Sequence, residues 1–226
     1  MTRLTTFALL LGFGALVSLP AADSPAKKNV LILGDSISIG YTPIVQKLLA
    51  EQAVVMRPLQ KGGKAENCMD TTLGLERIDR WLKLETGKWD VIHFNWGLHD
   101  IKHMSADGKP TENARDPLLN DVEKYEKQLR ELVSKMKATG AKLIFATTTP
   151  VPDEKMKIYR SNEDVIRYNE AAVRVMKENN VPVDDLYAFV RPREAKLQLP
   201  ANVHYNAEGY KALAEEVTRS IQQVLK

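Results

Sequence analysis

From about residue 28 onward, short apolar runs alternate with longer stretches of helical period. Val30-Leu31-Ile32-Leu33 and Val91-Ile92-His93-Phe94 are nearly continuous hydrophobic runs, the composition of strands covered on both faces. Strands are expected at 29–33, 53–57, 91–95, 142–147 and, with a weaker pattern, 181–184. Helices are expected at 43–51, 72–84, 116–139, 162–179 and 207–225. In the 116–139 stretch, Leu118, Val122, Tyr125, Leu129, Leu132, Val133 and Met136 recur at three- and four-residue steps, an apolar stripe suited to packing on a sheet. Alternation of this kind predicts an α/β fold, a three-layer α/β/α sandwich around a five-stranded parallel sheet.

The chain has 226 residues, enough for one domain with one ordinary core. Hydrophobic residues make up 44% and charged residues 27%, which excludes disordered, collagen-like and multi-span membrane classes. Lys plus Arg total 32 against 29 Asp plus Glu, a net charge of only +3 without a dense basic block, which argues against nucleic acid as a partner. Cys68 is the single cysteine, so neither an internal disulfide nor a cysteine-rich zinc site is available. Residues 1–22 have the three parts of an export signal: Arg3, the apolar stretch 7–17, and the small Ala21 and Ala22. The stretch is shorter than a membrane span needs, so cleavage near Asp23 is expected, with an uncleaved N-terminal anchor as the alternative. After cleavage no membrane span is expected, and the domain at 28–226 is placed in the periplasm or outside the cell.

The first strand runs directly into Gly34-Asp35-Ser36-Ile37-Ser38-Ile39-Gly40. Ligands of open α/β sheets collect outside the carboxyl ends of the strands, which makes Ser36 the leading nucleophile candidate. Amides at the start of the following helix would face an oxyanion formed there. A phosphate-cradling loop would need Lys-Ser or Lys-Thr after the glycines, and a dinucleotide loop a third, closer glycine; neither is present. Taken alone, Ser36 also fits a simple turn or cap residue.

Three blocks stand in order: Gly34-Asp35-Ser36, Phe94-Asn95-Trp96-Gly97-Leu98-His99-Asp100, and Val203-His204-Tyr205-Asn206-Ala207-Glu208-Gly209-Tyr210. From Asn29 to the C-terminus the chain thereby resembles the SGNH (GDSL-type) hydrolases, and Gly-Leu-His-Asp resembles an exported bacterial subgroup of that family. The resemblance implies a flavodoxin-like sandwich and ester hydrolysis, with Ser36 as nucleophile and first oxyanion donor and His204 as general base. A serine hydroxyl near neutral pH needs such a base to take its proton and return it to the leaving alcohol. His204 read by itself is also a surface residue near the last helix. The resemblance places the third-block oxyanion donors at Gly97 and at His99, where the family has Asn; histidine serves only if an N–H points the same way. Three residues before His204, where the family has Asp, stands Ala201. Asn202, or Asp184 or Asp185 from another loop, are the candidates for orienting the ring. The further oxyanion amide falls on Gly63, in Gly62-Gly63, or on Met69.

Other candidates are weaker. His99 and His103 would share a face only on a helix, and no third metal ligand follows; His103 otherwise reads as exposed loop. His93 reads as a hydrogen-bonded core residue. Cys68 has no neighbouring base. Arg57, Lys61, Lys64, Arg77 and Trp96 are candidates for lining the approach of a sugar. The expected function is a secreted serine esterase acting on small acyl groups, acetyl first, of a small-molecule or polysaccharide ester, with no metal or organic cofactor implied. The alternatives are a carbohydrate-binding or accessory protein with a degenerate site, and a metal-dependent hydrolase built on His99 and His103. The sequence carries no sign of oligomeric state.

Overall fold

The computed structural model describes residues 26–85 and 87–226. The export signal expected at 1–22 lies outside the described residues. Five parallel strands, β1 (Lys28–Leu33), β2 (Ala53–Met56), β3 (Val91–Phe94), β4 (Lys142–Ala146) and β5 (Val183–Asp184), form one sheet in the order β2-β1-β3-β4-β5. Val30 lies between Val55 and Val91, and Phe94 between Leu33 and Phe145, all buried. The continuous apolar runs thus become the central strands.

The connection from β1 to β2 moves one way across the sheet and every later one moves the other way. Right-handed crossovers therefore put α1 (Ser36–Leu48) on one face and α2 (Thr71–Leu82), α3 (Val122–Lys137) and α4 (Asn162–Asn179) on the other. Two short helices, α5 (Leu186–Val190) and α6 (Glu194–Leu197), lead to α7 (Ala207–Leu225), which packs beside α1. This is the expected three-layer sandwich. The chain leaves β1 and β3 in opposite directions, which opens a crevice above their carboxyl ends. Gly34-Asp35-Ser36 and Gly97-Leu98-His99 occupy those two exits.

Several element ends differ from expectation. Helix α1 starts at Ser36 rather than 43, because the Asp35 carboxylate accepts the Ile37 N–H at 2.9 Å and caps it; Pro43, which reads as a helix start, sits inside. Strand β2 stops at Met56, and Arg57 turns its guanidinium beneath the end of β1. Helix α3 begins at Val122, capped by Asp121. Residues ahead of it pair instead with the third-block loop, Leu119 N–H to Lys102 O at 2.7 Å and Met104 N–H to Pro117 O at 2.8 Å. Strand β5 keeps only two residues, and α5 and α6 are too short to show a helical period. The expected stripe holds at Tyr125, Leu129, Leu132, Val133 and Met136, all fully buried.

Candidate active site

Ser36 opens α1, so its N–H is one of the amides without an intrahelical partner and stands at the positive end of the helix dipole. The loop before it is tight: a Cβ on Gly34 would come within 2.9 Å of Ser38 Oγ. Arg57 holds the loop from below. It donates to Gly34 O at 3.3 Å, Glu66 O at 2.9 Å, Ser38 Oγ at 3.2 Å and Thr42 Oγ1 at 3.1 Å, and is itself buried. Burial pushes its pKa down. Asp35 is also buried, and burial raises its carboxyl above the usual range although the Ile37 amide and Arg160 pull it back.

His204 reaches Ser36 across 168 positions of sequence, Nε2 to Oγ at 2.8 Å. Its Nδ1 lies 2.7 Å from Asn202 Oδ1, and the His204 backbone N–H donates to that same oxygen at 3.0 Å. Because a backbone N–H needs an acceptor, the oxygen end of the Asn202 amide faces the ring. Nδ1 therefore carries the proton, and Nε2 has a lone pair for the serine hydroxyl. Ala201 takes a left-handed backbone with φ of 48°. Asp185, expected as an alternative orienting group, accepts instead from Thr147 Oγ1 at 2.9 Å and caps α5; Asp184 meets His93 Nε2 at 3.1 Å. Neither touches His204, because β5 delivers both to the sheet edge and to α5.

Gly97 has φ of 145°, and a Cβ there would lie 2.3 Å from Thr148 Oγ1. No other residue fits that turn. It carries His99 into a buried position, where the Lys102 ammonium lies 2.7 Å from Nδ1. An ammonium donates and cannot accept, so Nδ1 is bare and the proton sits on Nε2. Burial, then the charges of Lys102 and Arg160, push the His99 pKa down to about 3. The ring is a neutral Nε2–H donor, the form that replacement of an oxyanion-binding asparagine requires. Asp100 fastens the turn to α2, accepting from Thr71 N–H at 3.0 Å, Thr71 Oγ1 at 2.5 Å and Asn120 Nδ2 at 2.7 Å.

Of the two sites for the further amide, Gly63 is the tip of a turn, its N–H donated to Gln60 O at 3.0 Å and no heavy atom within 4 Å of a Cβ built there. Its glycine serves that turn. Met69 lies beside the nucleophile loop, because the Cys68 N–H donates to Gly34 O at 3.1 Å. With φ of 49° it occupies a conformation natural to glycine, although its N–H is held by Asn67 Oδ1 at 2.9 Å.

The other expectations divide. His93 is a buried, hydrogen-bonded core residue, as expected. His103, expected as exposed loop, is buried, its Nδ1 2.5 Å from Asp116 O, because residues 116–121 fold back over it. The 97–103 stretch is a turn and not a helix, so His99 and His103 share no face; among the described residues no group of three potential metal ligands occurs. Burial raises Cys68 to about 12, which leaves an inert thiol. Three of the residues expected to line the approach are otherwise engaged: Arg57 under the loop, Arg77 with Glu66 at 2.6 Å, and Trp96 buried with its Nε1 on Cys68 O at 3.2 Å. Lys102 and Arg160, at the site and buried, carry no signal in the sequence because only the fold brings them there.

A family model described as the GDSL-like lipase/acylhydrolase family matches residues 32–212. The chain belongs to this family. Ser36, His99, Asn202 and His204 all fall inside the matched span. The fold is also that of a lipase/acylhydrolase from Enterococcus faecalis, with a TM-score of 0.65 at 20% identity over 88% of this chain and 97% of that one. An acetyl xylan esterase, AlAXEase, superimposes with a TM-score of 0.65 at 16% identity over 85% of this chain and 99% of the other. A GDSL esterase/lipase from Oryza sativa subsp. japonica, WDL1, is 27% identical over 115 residues. That match spans 45% of this GDSL-like chain and 44% of the plant protein's length.

Proposed function

We propose that this GDSL-like acylhydrolase is an exported serine esterase that removes small acyl groups, acetyl first, from carbohydrate. The observation that carries the reading is the linked pair of contacts, Ser36 Oγ to His204 Nε2 at 2.8 Å and His204 Nδ1 to Asn202 Oδ1 at 2.7 Å.

In the proposed reaction, His204 Nε2 takes the Ser36 proton as Oγ bonds to the acyl carbonyl carbon. The negative oxygen of the tetrahedral intermediate is met by the Ser36 N–H and the His99 Nε2–H, with the α1 dipole behind them. When the intermediate collapses, its bond to the alcohol oxygen breaks and the imidazolium returns the proton to the departing alcohol. Water then attacks the acyl-serine, gives a proton to Nε2, and the free acid leaves as Oγ is reprotonated. Asn202 holds the ring in the required tautomer throughout, but as an amide it stabilises the imidazolium less than a carboxylate would.

Support for a carbohydrate ester comes from the likeness to an acetyl xylan esterase, and Ser36 and His204, both half-buried, remain open to solvent. The basic and apolar pattern of residues 1–22 supports export. The accessory-protein alternative is motivated by Ala201, His99 and Met69; the Asn202 contact at His204 Nδ1 and the Nε2–H of His99 favour the esterase over it. Hydrolysis of p-nitrophenyl acetate and acetylated xylan by the wild type and by Ser36→Ala tests the proposal. Release by the wild type should fall by at least about 1,000-fold in the variant; equal release by both proteins would eliminate the esterase.

A further inference from the structure

Among the described residues, two cations stand beside the reacting pair with no carboxylate bound to either. Lys102, 8% exposed, directs its ammonium to His99 Nδ1 and forms no ion pair among the described residues. Arg160, 9% exposed, uses Nε on the Leu98 carbonyl at 2.8 Å, and its two terminal nitrogens have no acceptor among the described residues. Both grip the same third-block turn, since Leu98 directly precedes His99. Arg160 is close enough to Asp35, the residue before Ser36, for the two charges to act on each other, and His99 feels Lys102, Arg160 and His204 together.

Buried charge without a counter-charge is costly, and one that persists needs a reason. The acidic groups that act on Lys102 are committed elsewhere: Asp35 to the Ile37 amide, Asp70 to the start of α2, Asp100 to Thr71 and Asn120. Of the carboxylates lining the same cavity as Arg160, Asp153 accepts from Asn162, Glu112 pairs with Lys155 and Glu154 is exposed. None forms an ion pair with the guanidinium among the described residues. Stabilising the transient oxyanion would account for one nearby charge through His99, but not for a second with its terminal nitrogens unused.

We propose that Lys102 and Arg160 form an anion-recognising subsite beside Ser36, and that the ester hydrolysed here carries a carboxylate, as an acylated acidic sugar does. The proposal rests on the ester-hydrolase reading above. Arg160 supplies planar donors that match the two oxygens of a carboxylate, and Lys102 adds a point charge from behind the His99 ring, at Nδ1.

The test uses 4-acetoxybenzoate and its neutral methyl ester, which differ in that one charge. The Ser36→Ala protein, titrated calorimetrically, should bind 4-acetoxybenzoate at least about 10-fold more tightly than the methyl ester, the scale of one charge-assisted hydrogen bond. Adding Arg160→Gln should abolish the preference. With Ser36 intact, Arg160→Gln should cost the anionic ester at least about 10-fold more in kcat/KM than it costs the neutral one. Arg160→Lys, which keeps the charge and loses the fork, provides the same comparison if the glutamine variant is unstable. Equal binding of the two ligands by Ser36→Ala, or equal losses for the two esters, would overturn the subsite. Anion-selective binding without turnover of either ester would sink the hydrolase reading and leave the subsite standing.

Discussion

Replacing Asn202 with Asp changes one atom at the far side of the base. The side chain keeps its length, so a carboxylate oxygen takes the place of Oδ1 at 2.7 Å from His204 Nδ1 and still accepts the His204 backbone N–H. A neutral hydrogen bond contributes about 1 kcal/mol net, and one with an ionised partner about 1.5–3 kcal/mol. The gain is realised mainly when the ring becomes imidazolium, that is, in the transition state. Asn202 is exposed and His204 half-buried, so solvent screening favours the lower part of that range. A difference of about 1–2 kcal/mol corresponds to a rise of roughly 5- to 30-fold in kcat. Initial rates with p-nitrophenyl acetate at saturating substrate measure it. Asn202→Ala should move the other way, by about 10- to 100-fold, since it frees the ring to change tautomer and orientation. Ala201→Asp is the control: with Nδ1 already occupied it should alter the rate by less than about 3-fold. A faster Ala201→Asp together with an unchanged Asn202→Asp would refute the assignment of Asn202 as the ring's partner.

Met69→Asn should raise stability by about 1 kcal/mol, because the residue holds φ of 49°, a conformation that asparagine adopts far more readily than methionine, and an asparagine side chain keeps part of the cover at this 37% exposed position. A melting temperature about 2–4 °C higher checks this; a lower one would mean that the left-handed turn costs methionine nothing. Asp100 is buried and burial raises its pKa to about 6, so the folded protein holds a proton there that the unfolded chain releases near 3.8. Its contribution is therefore complete below the unfolded value and is lost as pH climbs through the folded one, amounting to about 3 kcal/mol. Urea midpoints between pH 4 and 7 should fall by less in Asp100→Asn than in the wild type, and identical profiles would contradict the shift.

The sheet was legible because its central strands are buried on both faces and so read as nearly continuous apolar runs, with His93 the one polar residue inside β3. Helix starts were harder to read. Pro43 has the look of a first-turn proline, yet the Asp35 cap sets the start seven residues earlier, and that places Ser36 at the positive end of α1. Residues 116–121 continue the helical stripe at Leu118 but pair with the third-block loop, a preference that only tertiary contacts express. Within the site, Ser36, His99 and His204 announced themselves through ordered motifs, and Asn202 through its adjacency to the base. Gly63 misled because glycine marks a tight turn as readily as an oxyanion amide. Arg57, Lys102 and Arg160 look like ordinary solvated charges in sequence. Their importance lies in burial, which no local pattern of residues records.

The most direct measurement is labelling by a fluorophosphonate, which reacts only with a serine hydroxyl activated by a base. Mass spectrometry of the digested protein should find one phosphonyl group, on Ser36, and none in His204→Ala. A chain that takes no label, or carries it on another residue, would contradict the proposal that His204 activates Ser36 as the nucleophile.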